Sequence, residues 1–144
     1  MRLQEVTEEK TGKRTAAYEK LKFYQDICEL RRLVYQMTER LSKSHLRLVG
    51  QMRDAARSAK QNIREGYKKG SIGEFIHSIQ ISRGSLEELT GDIEDCKQDG
   101  LITQDEFEDL SRLCKSADFM SSRYLRSLYQ MRKDGTWKTP GKVS

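Results

Sequence analysis

No proline interrupts the chain between about residue 18 and residue 132, because the single proline, Pro140, lies close to the carboxyl end. Within that stretch apolar residues recur at steps of three and four, as in the run Phe23, Ile27, Leu30 and Val34. Such spacing places the apolar side chains on one face of a helix. The alternation of apolar and polar residues that is typical of strands is not sustained anywhere in the sequence. The pattern therefore predicts an all-α protein.

Short connections divide this pattern into four predicted helices. The first is expected over about residues 15–43 and the second over about residues 46–67, with Gly66 and Gly70 ending the second helix. Four amphipathic helices with short connections favour an antiparallel up-down four-helix bundle. The predicted divisions are a flexible N-terminal extension at 1–14, the bundle at 15–133 and a C-terminal tail at 134–144.

Capping signals mark the starts of the other two helices. The third opens with Ser71 followed three residues later by Glu74, and the fourth opens with Thr103 followed by Glu106. In such a capping box the hydroxyl accepts from the backbone of the third residue, whose carboxylate reaches back to the cap. An Asp-Gly pair at residues 99–100 is expected to end the third helix.

Two glycines lie inside the third predicted helix. Gly84 and Gly91 are poor helix formers within a strong apolar pattern, so they predict close packing against a neighbouring helix. In the tail, Trp137 is expected to dock on the bundle or on a partner.

The net charge is +5 and the isoelectric point about 9.1, which favours a polyanionic partner but is also compatible with ordinary solubilising charge. Cys28, Cys96 and Cys114 are odd in number, far apart and surrounded by apolar residues, which predicts free buried thiols in a reducing compartment. No apolar run is long enough for a membrane span, so a cytoplasmic protein without membrane contact is expected.

The sequence lacks the patterns that carry catalysis or hold a cofactor. No nucleophile elbow, phosphate-binding glycine loop or zinc-ligand spacing occurs. Residues 95–106 have the length of a calcium loop, but Lys97 stands where a ligand oxygen belongs. We therefore expect neither enzyme activity, nor a cofactor, nor a metal site.

A one-signed row of cations follows the second predicted helix. On a helical wheel, where successive residues are about 100° apart, these cationic side chains fall within a sector of about 80°. That sector lies away from the apolar face and from Asp54 and Glu65. The row consists of Arg53, Arg57, Lys60, Arg64 and Lys68, with Lys69 next to it. Such a row would follow a phosphate backbone. The alternatives are a solvated face or pairing with acids of another subunit. No recognition-helix signature, zinc finger or aromatic stacking platform is apparent, so backbone and shape would govern binding.

The middle of the chain resembles a bacterial four-helix-bundle family linked to intervening sequences in ribosomal RNA genes. Members carry segments like Q-x-R-R-A-A-x-S-I-P-x-N-I-A-E-G, then S-x-x-E-F and G-S-L-x-E-L. Here residues 51–66 read QMRDAARSAKQNIREG, followed by SIGEF at 71–75 and GSLEEL at 84–89. Lys60 replaces the family proline and Arg64 an alanine, and both replacements add positive charge to helix two.

The resemblance implies a homo-oligomer, specifically a pentameric ring of bundles, without known enzymatic activity. A related group, the accessory variability determinants of diversity-generating retroelements, binds nucleic acid and a reverse transcriptase. The added charge favours that reading: an accessory protein that binds RNA or DNA and assists a reverse transcriptase. The alternative is a structural or protein-interaction oligomer with no direct nucleic-acid role. Apolar residues beside the helical seams also predict self-association. They are Leu33, Ile76, Ile81, Leu113, Met120 and Leu125.

Overall fold

The computed structural model describes residues 16–138, so the predicted extension at 1–14 lies outside the described residues. Within this range a short 3-10 turn, Ala17–Lys20, precedes four helices, and no strand occurs. The all-α four-helix prediction is confirmed. The helices are α1 (Lys22–Glu39), α2 (Leu46–Lys68), α3 (Ile72–Gln98) and α4 (Gln104–Asp134).

The helices form a closed ring of neighbours. Helix α1 packs on α2 and α4, and helix α3 also packs on α2 and α4, so the diagonal pairs are held apart by the core. This is the up-down order expected when short connections join successive antiparallel helices. The α1–α2 and α3–α4 connections meet at one end of the bundle, where Arg40 forms a bidentate ion pair with Glu106 at 2.5 and 2.6 Å.

The predicted start of the first helix is wrong by about seven residues. Leu21 has an extended backbone (φ −72°, ψ 131°), which separates the 3-10 turn from α1. The turn carries Tyr18 inward, where its ring packs on Tyr24 at 5.0 Å and on Tyr67 at 5.2 Å between centroids. Burial of the Tyr18 ring in these contacts stabilises the bend, and the spacing of apolar residues alone does not reveal the contacts.

The helix ends follow most of the predicted signals. The Thr103 hydroxyl accepts from the Glu106 backbone, and the Glu106 carboxylate accepts from the Thr103 backbone, so this capping box is complete. Ser71 accepts from the Glu74 backbone at 3.1 Å, but the Glu74 carboxylate turns to the Ser71 hydroxyl instead of the backbone. Gly100 follows α3 with a positive φ of 73°, a conformation that glycine adopts without strain.

The close helix contact that the sequence predicted at Gly84 and Gly91 occurs instead at Gly66. Gly84 and Gly91 face open space, since a Cβ at either position would meet nothing within 4 Å, so the predicted close packing there is wrong. Gly66, predicted to end its helix, is instead buried inside α2, where a Cβ would overlap the side chain of Ser78 on α3. Helix α2 runs on to Lys68, and Gly70 supplies the turn with a φ of 92°.

Most of the apolar residues that lie beside the predicted seams belong to the bundle's own core. Ile76, Leu113 and Leu125 are all 5% exposed or less, and Leu33 is partly buried against the core. Only Ile81 and Met120 of that set remain exposed, at 41% and 36%. The predicted outer apolar patch is therefore much smaller than the sequence indicated, because the helix faces buried by the ring are broader than a strict seam.

An aromatic cluster closes the other end of the bundle. The ring of Trp137 lies 5.6 Å from that of Phe75 and 6.4 Å from that of Tyr67, measured between centroids. Its indole nitrogen donates to the Gly70 carbonyl at 3.5 Å. Of the two possibilities predicted for Trp137, the structure shows docking on the bundle.

Candidate nucleic-acid interface

A basic groove of about 410 Å³ runs between α1 and α2. Both helices supply its walls, because their packed faces leave the flanking side chains pointing outward on either side of the seam. We call it the basic groove and define it by its lining: Arg31, Tyr35, Arg53, Asp54, Ala56, Arg57, Lys60, Gln61 and Arg64. Four of the six cations predicted as a binding row therefore lie together in one concave surface.

Arg53 is the most firmly held of these cations. Its Nε donates to the Thr38 hydroxyl at 2.9 Å, and its terminal nitrogen donates to the Tyr35 carbonyl at 3.2 Å and the Glu39 carboxylate at 2.8 Å. Its guanidinium carbon lies 3.8 Å from the centroid of the Tyr35 ring. Charge pairing with Glu39 and a side chain only 26% exposed make Arg53 a fixed part of the groove wall. Arg53 was predicted as a phosphate-binding residue of the row, and these contacts distinguish it from the other cations of that row.

Arg57, Lys60 and Arg64 form the uncompensated part of the row. Among residues 16–138 none of the three has an ion-pair partner within 4.0 Å. Arg57 and Arg64 are exposed and Lys60 is half-buried. Asp54 borders the groove, contrary to the expectation that it points away. Three cations spaced about a helical turn apart against one acid leave a positive surface.

The last two predicted residues lie beyond the groove. Lys68 and Lys69 are exposed at the carboxyl end of α2, outside the groove lining. Lys69 Nζ lies 3.8 Å from a Glu74 carboxylate oxygen, so its charge is partly offset. These two lysines can extend a path along α2 but do not share the concave surface.

Two groove residues come from α1 and were not predicted. Arg31 and Tyr35 are one turn apart on α1, and both are exposed, with Tyr35 at 52%. The i, i+4 spacing was visible in the sequence, but only the pairing of α1 with α2 shows that this face borders the cationic row. Tyr35 places one aromatic ring in the groove wall, which the wheel of α2 alone does not show.

The positive field reaches the thiol behind the groove. Burial raises the pKa of Cys28, while the nearby charges of Lys60 and Arg31 act in the opposite direction. Cys96 and Cys114 are buried as predicted, whereas Cys28 is half-buried, and all three are free thiols. Burial also raises the pKa of Cys96 and Cys114, so the neutral thiol form is favoured.

Buried carboxylates elsewhere in the bundle are tied to neighbouring side chains. Asp26 on α1 accepts from the Ser116 hydroxyl at 2.5 Å and pairs with Lys22. Asp92 on α3 accepts from the Gln51 amide at 3.2 Å. In the part of the chain that the structure describes, no group of three or more His, Cys, Asp or Glu side chains is placed to hold a metal ion.

A profile of the 23S rRNA-intervening sequence protein family matches residues 19–123. The chain belongs to that family. The match covers the first three helices and most of α4, and therefore includes the whole basic groove. No curated protein matches the chain significantly. Across residues 16–138 no helix is both long and apolar enough to cross a membrane.

Proposed function

We propose that this family member is a non-catalytic protein that binds the phosphate backbone of RNA or DNA through the basic groove. The observation that carries the proposal is the set of Arg57, Lys60 and Arg64, which share one concave surface and have no ion-pair partner among the described residues. Cations held near one another in a groove concentrate the field and attract polyanions. Arginine forks can also bind phosphate oxygens bidentately.

Self-association is the second part of the proposal. Exposed apolar side chains on α4 offer a contact surface, with Phe119 at 58% and Met120 at 36% exposure. The family resemblance described above favours a pentamer. A ring would repeat the basic groove once per subunit and so multiply a modest monomer charge into a strong local field.

The partner best suited to such an accessory protein is a reverse transcriptase of a diversity-generating retroelement. This assignment rests on the resemblance and on the charges added by Lys60 and Arg64, where the family pattern has proline and alanine. A purely structural oligomer is the competing function, and it would leave the groove as a solvated or intersubunit surface.

A charge-reversed double variant tests the binding proposal. Arg57→Glu combined with Arg64→Glu should abolish a gel shift with RNA or DNA at physiological salt, because both phosphate ligands are replaced by repelling charges. Arg112→Glu with Lys115→Glu is the matched control, since it makes the same charge change at exposed positions on α4. Sizing chromatography on each variant separates loss of binding from loss of the oligomer. Equal binding by both variants would refute the groove as the site.

A further inference from the structure

The geometry of Tyr35 adds a base-binding element to the phosphate-binding groove. Arg53 covers one face of the tyrosine ring at 3.8 Å, yet the residue is still 52% exposed. A ring with one face covered can reach that exposure only if its other face and edge are open to solvent. Tyr35 lines the same groove as Arg57 and Lys60.

The Arg53–Tyr35 stack is preorganised. Three hydrogen bonds, to the Thr38 hydroxyl, the Tyr35 carbonyl and the Glu39 carboxylate, hold the guanidinium in place. The guanidinium therefore restricts the ring from one side, and little side-chain freedom remains to be lost when a ligand stacks on the other. Fixed aromatic rings beside cations are the usual means by which proteins bind unpaired bases.

Resting on the proposed function, we infer that the basic groove selects single-stranded over double-stranded nucleic acid by stacking one unpaired base on Tyr35. Phosphates of the same strand lie along Arg57, Lys60 and Arg64. A duplex offers the same phosphates, but its bases are stacked on one another and are closed to the ring. The shared chemistry is an unpaired base next to a phosphate, whether the sugar is ribose or deoxyribose.

An arginine–tyrosine pair on α4 provides a matched comparison. Arg132 lies 5.5 Å from the Tyr129 ring centroid, and Tyr129 is 40% exposed. This pair resembles the Arg53–Tyr35 stack in chemistry but lies outside the basic groove. Replacing Tyr129 therefore removes an exposed tyrosine without touching the proposed base contact.

The test measures fluorescence anisotropy of the full chain with four labelled ligands of equal length. They are a twelve-nucleotide oligo-U, the corresponding oligo-dT, an abasic strand and a DNA duplex. Tyr35→Ala should weaken binding to the two homopolymers about tenfold, the loss expected for one stacked base, and leave the abasic strand and duplex unchanged. Tyr35→Phe should restore homopolymer binding, and Tyr129→Ala should leave all four affinities unchanged.

The outcomes separate this inference from the function on which it rests. If the unaltered protein binds none of the four ligands, the proposed nucleic-acid function fails. If it binds them but Tyr35→Ala changes nothing, or weakens strand and duplex alike, phosphate binding stands and base stacking is overturned. A loss confined to oligo-U would assign the site to RNA, and a loss confined to oligo-dT would assign it to DNA.

Discussion

Gly66 on α2 faces Ser78 on α3 so closely that a Cβ at position 66 would overlap the serine side chain. The overlap involves the Ser78 Cβ as well as its hydroxyl, so a change of rotamer cannot relieve it. Gly66→Ala should therefore force the two helices apart and lower the free energy of unfolding by about 2 kcal/mol, as overpacking does elsewhere. Chemical denaturation monitored by circular dichroism measures the change.

Gly84→Ala is the matched substitution in open space. Because a Cβ there meets nothing within 4 Å, no steric clash offsets the gain in helix propensity. The free energy of unfolding should therefore rise by about 0.5–1 kcal/mol. We therefore expect the free energy of unfolding to fall for Gly66→Ala and to rise for Gly84→Ala. A destabilised Gly84→Ala variant with an unaffected Gly66→Ala variant would contradict the packing described for α2 and α3.

Stability at acid pH should depend on Glu106. The hydrogen bond from Arg40 holds the pKa of Glu106 below its ordinary value of 4.5. The ionised carboxylate therefore stabilises the fold above pH 4.5, and this contribution is lost as the pH falls through the lower folded-state pKa. Glu106→Gln keeps a side chain able to complete the cap, but should lower stability by about 1 kcal/mol at pH 7.

Comparison of pH 7 with pH 3 isolates the charge at position 106. The stability difference between the unaltered protein and Glu106→Gln should be smaller at pH 3 than at pH 7, because below pH 4.5 the unfolded chain binds a proton at this carboxylate more readily than the folded protein does. Glu108→Gln is the control, since the exposed Glu108 carboxylate accepts from Gln104 within the same helix and has no ion-pair partner among residues 16–138. If the stability lost in Glu106→Gln does not vary with pH, the ion pair with Arg40 is not the cause of that loss.

Asp92 should show the opposite dependence on pH. Burial raises the pKa of Asp92 above its ordinary value of 3.8, because the ionised form is poorly solvated in the fold. Ionisation therefore costs stability above the folded-state pKa, and the cost disappears as the pH falls below 3.8. Asp92→Asn keeps an oxygen for Gln51 and should raise the melting temperature at pH 7 but not at pH 3. A lowered melting temperature at pH 7 would contradict this.

The fold was largely predictable, because the spacing of apolar residues and two capping pairs act locally. The predictions of the first helix start and of the glycine packing were wrong, because contacts between residues distant in sequence determine both. The bend before α1 places the Tyr18 ring in contact with Tyr24 and Tyr67, which lie later in the sequence. Gly66 is buried against Ser78 of another helix whereas Gly84 faces open space, and the pattern of a single helix does not show which neighbour a glycine meets.

Only the α2 wall of the basic groove could be predicted from the sequence. The cations of α2 share a helix face, so a wheel finds Arg57, Lys60 and Arg64 directly. The opposite wall, with Arg31 and Tyr35, depends on how α1 rotates against α2. The pairing of Arg53 with Glu39 and Tyr35 depends on the same rotation, so the sequence alone did not show that Arg53 is held in the groove wall.

The salt dependence of binding tests the central claim most directly. For the unaltered protein and Arg57→Gln, the logarithm of the association constant for a single strand is measured against the logarithm of salt concentration. Because each phosphate contact on a single strand contributes about 0.7 to the slope, the variant should bind more weakly with a slope smaller by about that amount. Arg112→Gln, outside the groove, should keep the original slope. Identical slopes for the unaltered protein and Arg57→Gln would contradict phosphate binding in the basic groove.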